Sequence, residues 1–513
     1  HASVSTTTRD CPTIFRGSGT VSRDPRTGEW INRMKIQSEE GNPCDDIRMI
    51  TKRIINLCPV STGVNKSNTY IHYFKYLIFT LFHLYFSIQK LDSINQPQQH
   101  MYVSPRPCVR IAVYLMSGVF LTMEVERNAT AQQTLTVVQS EGELGLSRTP
   151  PVNGQPVFAM WLCSSQLEVQ LRPNHRPLEL AAKWSGLVKK YGSQDGPDDE
   201  EPLLYFRRNV FLTRRDEEQV KDPKILELLY AEARHNVLEG RYPCEGQARY
   251  ASLGALQARI ELGPYNPQTH TLAYFRKHRA RFLPHHYNSP SLLLGLGLGL
   301  GLVGGKGAPE ARLLEQYKRI PNHSGTNPNP RKLVRKYLEF CWGLPTYGAA
   351  FFQGQIERPV RGLASWITNR DLPVLIAINT TGVYIVDDTH CSLLLGLKYS
   401  ELSWEMAKPS DEGNPDCLPC LFLQFPVREN GARVYKILQV FSRQAIMMDT
   451  LISGFAEESR LNDANAEPTN PNRPENSVIT NVGSFTNKLS KFTLATFDDQ
   501  GRCIGQMGSW SFQ

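Results

Sequence analysis

Ordered patterning begins near Val109. Apolar residues alternate with other residues at Val109, Ile111, Val113 and Leu115, pause at Ser117-Gly118, and alternate again at Val119, Leu121, Met123 and Val125. A period of two on both sides of a Gly-containing turn predicts a β-hairpin with one buried face. A helix-compatible stretch at 130–144 follows, then strand-like runs at 157–165 (VFAMWLCSS), 167–171 (LEVQL) and 203–212 (LLYFRRNVFL). The acidic run at 193–201 (SQDGPDDEE) predicts a solvated loop before the closing strand.

Beyond Arg215 the period becomes helical. Ile225, Leu229, Ala233 and Val237 share one face, Asp222 is placed to cap, Pro223 suits the first helical position, and Gly240 stands where the helix should stop. A second helix is expected at 247–262, with Leu253, Leu256 and Ile260 on its apolar face and Gly263-Pro264 ending it. Further helices are expected near 270–283, 310–320 and 331–341. Between them lies the Leu-Gly run 291–307, in which Gly299, Gly301 and Gly304 formally match G-x-G-x-x-G. That fingerprint works only where a strand feeds the glycines and a helix N-terminus follows. Here FLPHHYNSP precedes them, and Lys306 is followed by Gly307 rather than Ser or Thr. The run reads as a low-complexity insert.

From Tyr347 short strands return, at 349–356, 374–388, 392–399, 402–407, 420–425 and 433–441, with Asn379-Thr-Thr-Gly382 as a hairpin loop. A closing helix is expected at 442–459, its stripe carrying Ala445, Met448, Leu451, Ile452 and Phe455. The Asn/Pro/Ser-rich chain beyond it, 462–513, predicts a mostly disordered tail. The whole is thus an α+β multidomain chain: a ubiquitin-like lobe at 108–215, a helical lobe at 216–343, and a pleckstrin-homology or phosphotyrosine-binding-like (PH/PTB-like) lobe at 344–461.

Charge removes one function class. Lys and Arg outnumber Asp and Glu by 57 to 49, but residues 1–107 hold 13 against 8, leaving 44 against 41 over the other residues. No basic body remains to neutralise a run of phosphates, so no nucleic-acid partner is expected. Residues 1–107 open on His1 and are expected to be disordered or a non-native extension. Within them the aromatic-rich stretch 69–88 approaches membrane-spanning length, but Lys75, His72 and His83 interrupt it. A segment outside the folded protein is the favoured reading, with a spanning helix as the alternative. The 11 cysteines form no disulfide framework, and the single C-x-x-C, Cys417 and Cys420, lacks the second half of a zinc site. His285-His286 have no carboxylate or Cys at ligand spacing, and no hydrolase, kinase or deaminase motif occurs. No catalytic residue, metal or cofactor is expected.

The order of the three lobes resembles FERM domains. FRRNVF (206–211) resembles the closing strand of a FERM first lobe, ILELLYAEARHNVLEGRYPC (225–244) the first long helix and turn of the second, and ASLGALQARIELGPY (251–265) the next helix. FAMWLCSSQLEVQLRPNHRP (158–177) and LLLGLKYSELSW (393–404) point to one non-catalytic adaptor branch. The resemblance implies an acyl-CoA-binding-protein-like second lobe. It also implies a cytoplasmic protein, peripheral at the cytosolic face of the plasma membrane, that binds the cytoplasmic tails of rhomboid pseudoproteases (iRhoms). It would stabilise the iRhom–sheddase complex and restrain Wnt signalling at a co-receptor tail. A FERM scaffold joining membrane proteins or phosphoinositides to the cytoskeleton, or serving a small GTPase, remains the alternative.

Two surfaces follow. A PTB-like sandwich has an open edge beside its last helix, where an extended peptide can add as a strand. Leu402, Trp404 and Met406 with Met447, Leu451 and Phe455 are expected to border that groove, with core packing as the competing role of Leu451 and Phe455. Arg276, Lys277, Arg279 and Arg281 on one helix, and Arg331, Lys332, Arg335 and Lys336 on another, are candidates for an anionic lipid surface. The competing role of these cations is a solvated helix face.

Overall fold

The computed structural model describes residues 107–146, 155–193, 200–288, 308–320, 330–358, 371–411, 413–414, 416–465, 487–498 and 502–507. Apart from Pro107, the expectations for 1–107, the stretch 69–88 and the insert 291–307 lie outside these residues. The expected α+β FERM plan is present from Cys108 onward.

Lobe 1 opens with the hairpin β1 (Cys108–Leu115) and β2 (Phe120–Glu126), turning at Gly118. Ile111, Val113, Leu115, Leu121, Met123 and Val125 are buried, while Val119 lies outside both strands and is exposed. Helix α1 (Ala131–Ser140) begins where Thr130 and Gln133 satisfy each other's backbone N–H groups in a capping box. Strands β3 (Phe158–Cys163), β4 (Glu168–Gln170) and β5 (Leu203–Arg208) complete a sheet of order β2-β1-β5-β3-β4, in which β5 runs parallel to β1.

Two features differ from the expectation. Helices α2 (Pro177–Ala182) and α3 (Trp184–Tyr191) occupy a stretch with no predicted element; Pro177 at the first helical position was the available signal. Strand β5 stops at Arg208 rather than continuing to residue 212, because the Asn209 side chain accepts the Phe211 N–H and turns the chain.

Lobe 2 contains α4 (Arg214–Glu218), α5 (Pro223–Leu238), α6 (Gln247–Leu262), α7 (Leu272–Lys277), α8 (Arg279–Phe282), α9 (Pro309–Arg319) and α10 (Pro330–Trp342). Asp222 caps α5 by accepting from the N–H groups of Lys224 and Ile225. The single helix expected at 270–283 is instead two, broken at His278.

Lobe 3 holds β6 (Ala350–Ile356), β7 (Leu372–Asn379), β8 (Gly382–Asp387), β9 (Ser392–Lys398), β10 (Ser403–Ala407), β11 (Cys420–Glu429), β12 (Ala432–Phe441) and α11 (Ala445–Asn465). The strands form one antiparallel path, β10-β11-β12-β6-β7-β8-β9. Within the stretch 462–513, where a mostly disordered tail is expected, the described residues 487–498 and 502–507 are regular. They form β13 (Leu494–Phe497) and β14 (Cys503–Met507), and β13 pairs with β12.

The cores cross lobe boundaries. One apolar cluster joins lobe 1 with α5, α6 and α10 and reaches Phe351, Tyr384 and Leu393 of lobe 3. A second fills lobe 3 and takes in Ala159, Trp161, Cys163 and Val210 of lobe 1. A third, around Phe275, Phe282 and Tyr317, closes the outer end of lobe 2. Shared cores fix the three lobes relative to one another.

Candidate functional site

The joint between the lobes is built on the Arg-Arg pair of FRRNVF. Arg207 pairs with Glu168 of β4 at 2.8 Å and Glu232 of α5 at 3.2 Å, and its guanidinium lies 4.7 Å from the centre of the Trp161 ring. Arg241, just beyond α5, makes a two-pronged contact with the same Glu168, at 2.5 and 3.1 Å. Arg208 pairs with Glu217 of α4 at 2.6 Å and donates to the Leu212 carbonyl. Glu217 also accepts from Trp342 Nε1 at 2.8 Å and from the Tyr347 hydroxyl. Burial alone would raise the Glu168 carboxyl, but Arg241 and Arg207 hold it well below the usual carboxylate range. Gly348 sits at φ +67°, and a Cβ there would come within 2.5 Å of Arg208 Nη1. The joint is a weld. A pocket of about 60 Å³ opens beside it, lined in part by Arg208, Arg214, Tyr347, Asn379 and Thr381. That space holds a few waters and is far below the size of an organic-ligand site.

The contrasting surface is the outer strand of lobe 3. Strand β10 pairs antiparallel with β11 from Ser403↔Gln424 to Ala407↔Cys420, and among the described residues no strand pairs with its other side. Its side chains alternate, Ser403 and Glu405 exposed, Trp404 and Met406 half-buried against the lobe 3 core. Helix α11 runs beside it. Trp404 Nε1 donates to Asp449 Oδ1 across the gap at 3.1 Å. Met447 and Leu451 are also half-buried, and Met447 touches both the lobe 3 core and the core shared by lobes 1 and 2.

The six residues expected at the groove therefore divide. Trp404, Met406, Met447 and Leu451 stand at the margin of β10 and α11. Leu402, 7% exposed, and Phe455, 2% exposed, are core residues and border nothing open. The stripe of α11 could not separate these roles, because both faces of the wedge it forms are apolar. Asp449, which reasoning from sequence missed, became visible only through its contact with Trp404.

The basic positions are dispersed further. Arg276 and Lys277 end α7, while Arg279 and Arg281 lie on α8. Arg279 pairs with buried Glu310, and Arg281 with Glu261 at 2.7 Å. Arg335 pairs with Glu339 and donates to the carbonyls of Val220 and Glu218. These three arginines are tied into lobe 2. Arg276, Lys277, Arg331, Lys332 and Lys336 are exposed. Helices α7 and α8 pack on the outer core of lobe 2, and α10 on the core it shares with lobe 1.

Among the described residues no group of three or more His, Cys, Asp or Glu side chains is placed to hold a metal ion. None of the described helices is long and apolar enough to cross a membrane. Burial pushes the Cys420 thiol up to about 12, whereas a hydrogen bond from the Ser410 side chain, and then bonds with the Asp411 and Ser410 backbone, lower that of half-buried Cys417.

Comparison with known proteins matches the FERM central domain over residues 215–352 and the KRIT1/FRMD8 FERM domain C-lobe over 372–451. Human FERM domain-containing protein 8 is 39% identical over 324 residues, 61% of this chain and 66% of the human protein. The Danio rerio protein of that name is 36% identical over 370 residues, 70% of this chain and 75% of the relative. Among solved structures, the human myosin 7b C-terminal MyTH4-FERM domain in complex with harmonin-a PDZ3 aligns with a TM-score of 0.44 at 16% identity, covering 69% of this chain and 60% of that one.

Proposed function

Because the chain belongs to the FERM domain-containing protein 8 family, a family of FERM adaptors, we propose that it is a non-catalytic adaptor holding the cytoplasmic tail of an iRhom. The tail adds as a strand to β10. The observation that carries this reading is the open edge of β10, flanked by Trp404, Met406, Met447 and Leu451. An incoming backbone would satisfy the unpaired N–H and C=O groups of that edge, and alternate side chains would reach the apolar margin under α11. Edges of this kind are normally covered or charged when nothing binds them.

By holding the tail at the cytosolic face of the plasma membrane, the adaptor would stabilise the iRhom–sheddase complex. A Wnt co-receptor tail would compete for the same edge, which is how restraint of Wnt signalling would arise. Titrating the full chain with a synthetic iRhom tail peptide in a calorimeter tests the reading. Trp404→Ala, with its circular dichroism unchanged, should weaken binding by about tenfold or more, since buried aromatic anchors dominate such interfaces. Unchanged affinity in the folded variant sinks it.

The exposed cations Arg276, Lys277, Arg331, Lys332 and Lys336 support a second, weaker contact, with anionic lipid. Co-sedimentation with vesicles containing phosphatidylserine should fall as salt rises. Binding that ignores both salt and lipid charge would remove this contact.

A further inference from the structure

Residues 487–498 and 502–507 lie beyond the matched C-lobe, yet they complete the lobe 3 sheet. Asn487 Oδ1 accepts the Gly396 N–H at 3.0 Å, and the Lys488 N–H donates to the Leu394 carbonyl at 2.8 Å, so the segment seats on the outer edge of β9. It then crosses to β12, where β13 pairs through Tyr435↔Phe497, Lys436↔Thr496 and Ile437↔Ala495. Strand β12 meets β6 only at Phe441↔Gln355, so its far stretch has an edge for a strand to take. Phe492, Leu494 and Thr496 alternate inward, and Phe492 is wholly enclosed in the lobe 3 core.

We propose that this dock is a second strand-binding site, separate from β10 and filled in cis by residues 487–498 and 502–507. The ligand class is an extended peptide with an aromatic, an aliphatic and a Thr residue at alternate inward positions. Three features make the site one that accepts a ligand and survives its departure. Recognition rests on a backbone ladder, which any extended chain can form, together with one deep aromatic pocket. Lys436 is buried, and its ammonium donates to Thr496 Oγ1 at 3.1 Å. The same ammonium also pairs with Glu429 of β11 at 2.9 Å. When the segment leaves, the buried charge therefore keeps its partner, and the cost of an unpaired ion does not arise. Finally, β13 and β10 lie on opposite sides of the β11–β12 pair, so both strand sites can be occupied together.

The test uses the full chain with a site-specific protease recognition sequence inserted between residues 470 and 480. After cutting, the C-terminal piece should stay with the body on gel filtration. A fluorescent synthetic peptide of residues 487–507 should then replace it, to one per body. The same peptide carrying Phe492→Asp and Leu494→Asp should bind about a hundredfold or more weakly, from the loss of both buried apolar anchors. Uncut chain should resist the peptide, because the tethered segment is present at an effective concentration in the millimolar range. Separation of the piece on cutting would overturn the dock. Retention without any exchange would overturn it as a binding site and leave an irreplaceable structural strand.

Discussion

The joint at Arg207–Arg208 and the margin of β10 invert the usual distribution of charge and grease. At the joint, charged side chains are largely withdrawn from water: Glu217 has no exposed surface, Glu232 is buried, and Glu168 and Arg241 are mostly covered. At the margin, Trp404, Met406, Met447 and Leu451 are apolar and only half covered. Buried charge persists where every lone pair and proton finds a partner. Apolar surface beside a strand edge that no described strand pairs has no such internal completion, which is why the margin carries the proposed docking site. One region completes its interactions within the body; the other does not.

Breaking the joint should have the largest effect. Glu217→Ala leaves the Arg208 charge, Trp342 Nε1 and the Tyr347 hydroxyl without their shared acceptor, and should cost about 3–5 kcal/mol of stability. Urea unfolding measures it, and a loss below about 1 kcal/mol would show that the joint is no weld.

Acid should act on the same region. His235 is held down to about 3 by burial first, and then by Arg241 and Arg207. The unfolded chain therefore takes up its proton at a higher pH than the folded one. Stability is full above about pH 6.5 and declines as pH falls from there toward about 3. Glu168, also depressed, adds its own loss only below the ordinary carboxylate range. Melting temperature followed from pH 7 to pH 4 should fall, and His235→Gln should flatten the curve; an unchanged slope contradicts the assignment.

The margin should respond in the opposite way, with little change in stability and much in binding. Asp449→Ala removes one hydrogen bond to Trp404, worth about 1 kcal/mol by unfolding. Iodide quenching of the Trp404 fluorescence, read as the difference from a Trp404→Phe chain, should rise as the indole loosens. If quenching does not change, the bond does not fix the indole. The smallest effect is expected at Lys277, exposed on α7, where Lys277→Ala should stay within about 0.5 kcal/mol of the native chain. A larger loss would mean that Lys277 is tied into lobe 2 as Arg279 is.

Period and punctuation sufficed for the elements that carry their own signal. The β1–β2 hairpin, the Asp222-capped α5 and the seven strands of lobe 3 are visible because alternation, caps and turn residues act within a few positions of one another. The same local logic identified β10 as an outer strand. It could not distinguish Trp404 from Leu402, or Leu451 from Phe455, since half-buried and buried residues share one apolar alphabet. Nor could it extend to the partners of Arg207 and Arg208, because Glu168 and Glu232 are distant in sequence, Glu217 lies past a turn on another element, and all three look like any other surface carboxylate.

The tail is the sharpest case. Phe492, Leu494 and Thr496 are three alternating positions in polar surroundings, too few to predict a strand. Their order comes from the open stretch of β12 and the pocket that receives Phe492. The chain alone determined its three-lobed plan, because that plan rests on short-range periodicity. Tertiary structure decided which charges were welded, which apolar residues stayed half open and which tail segment became a strand. Each of those depends on what lies across a contact between residues far apart in the chain.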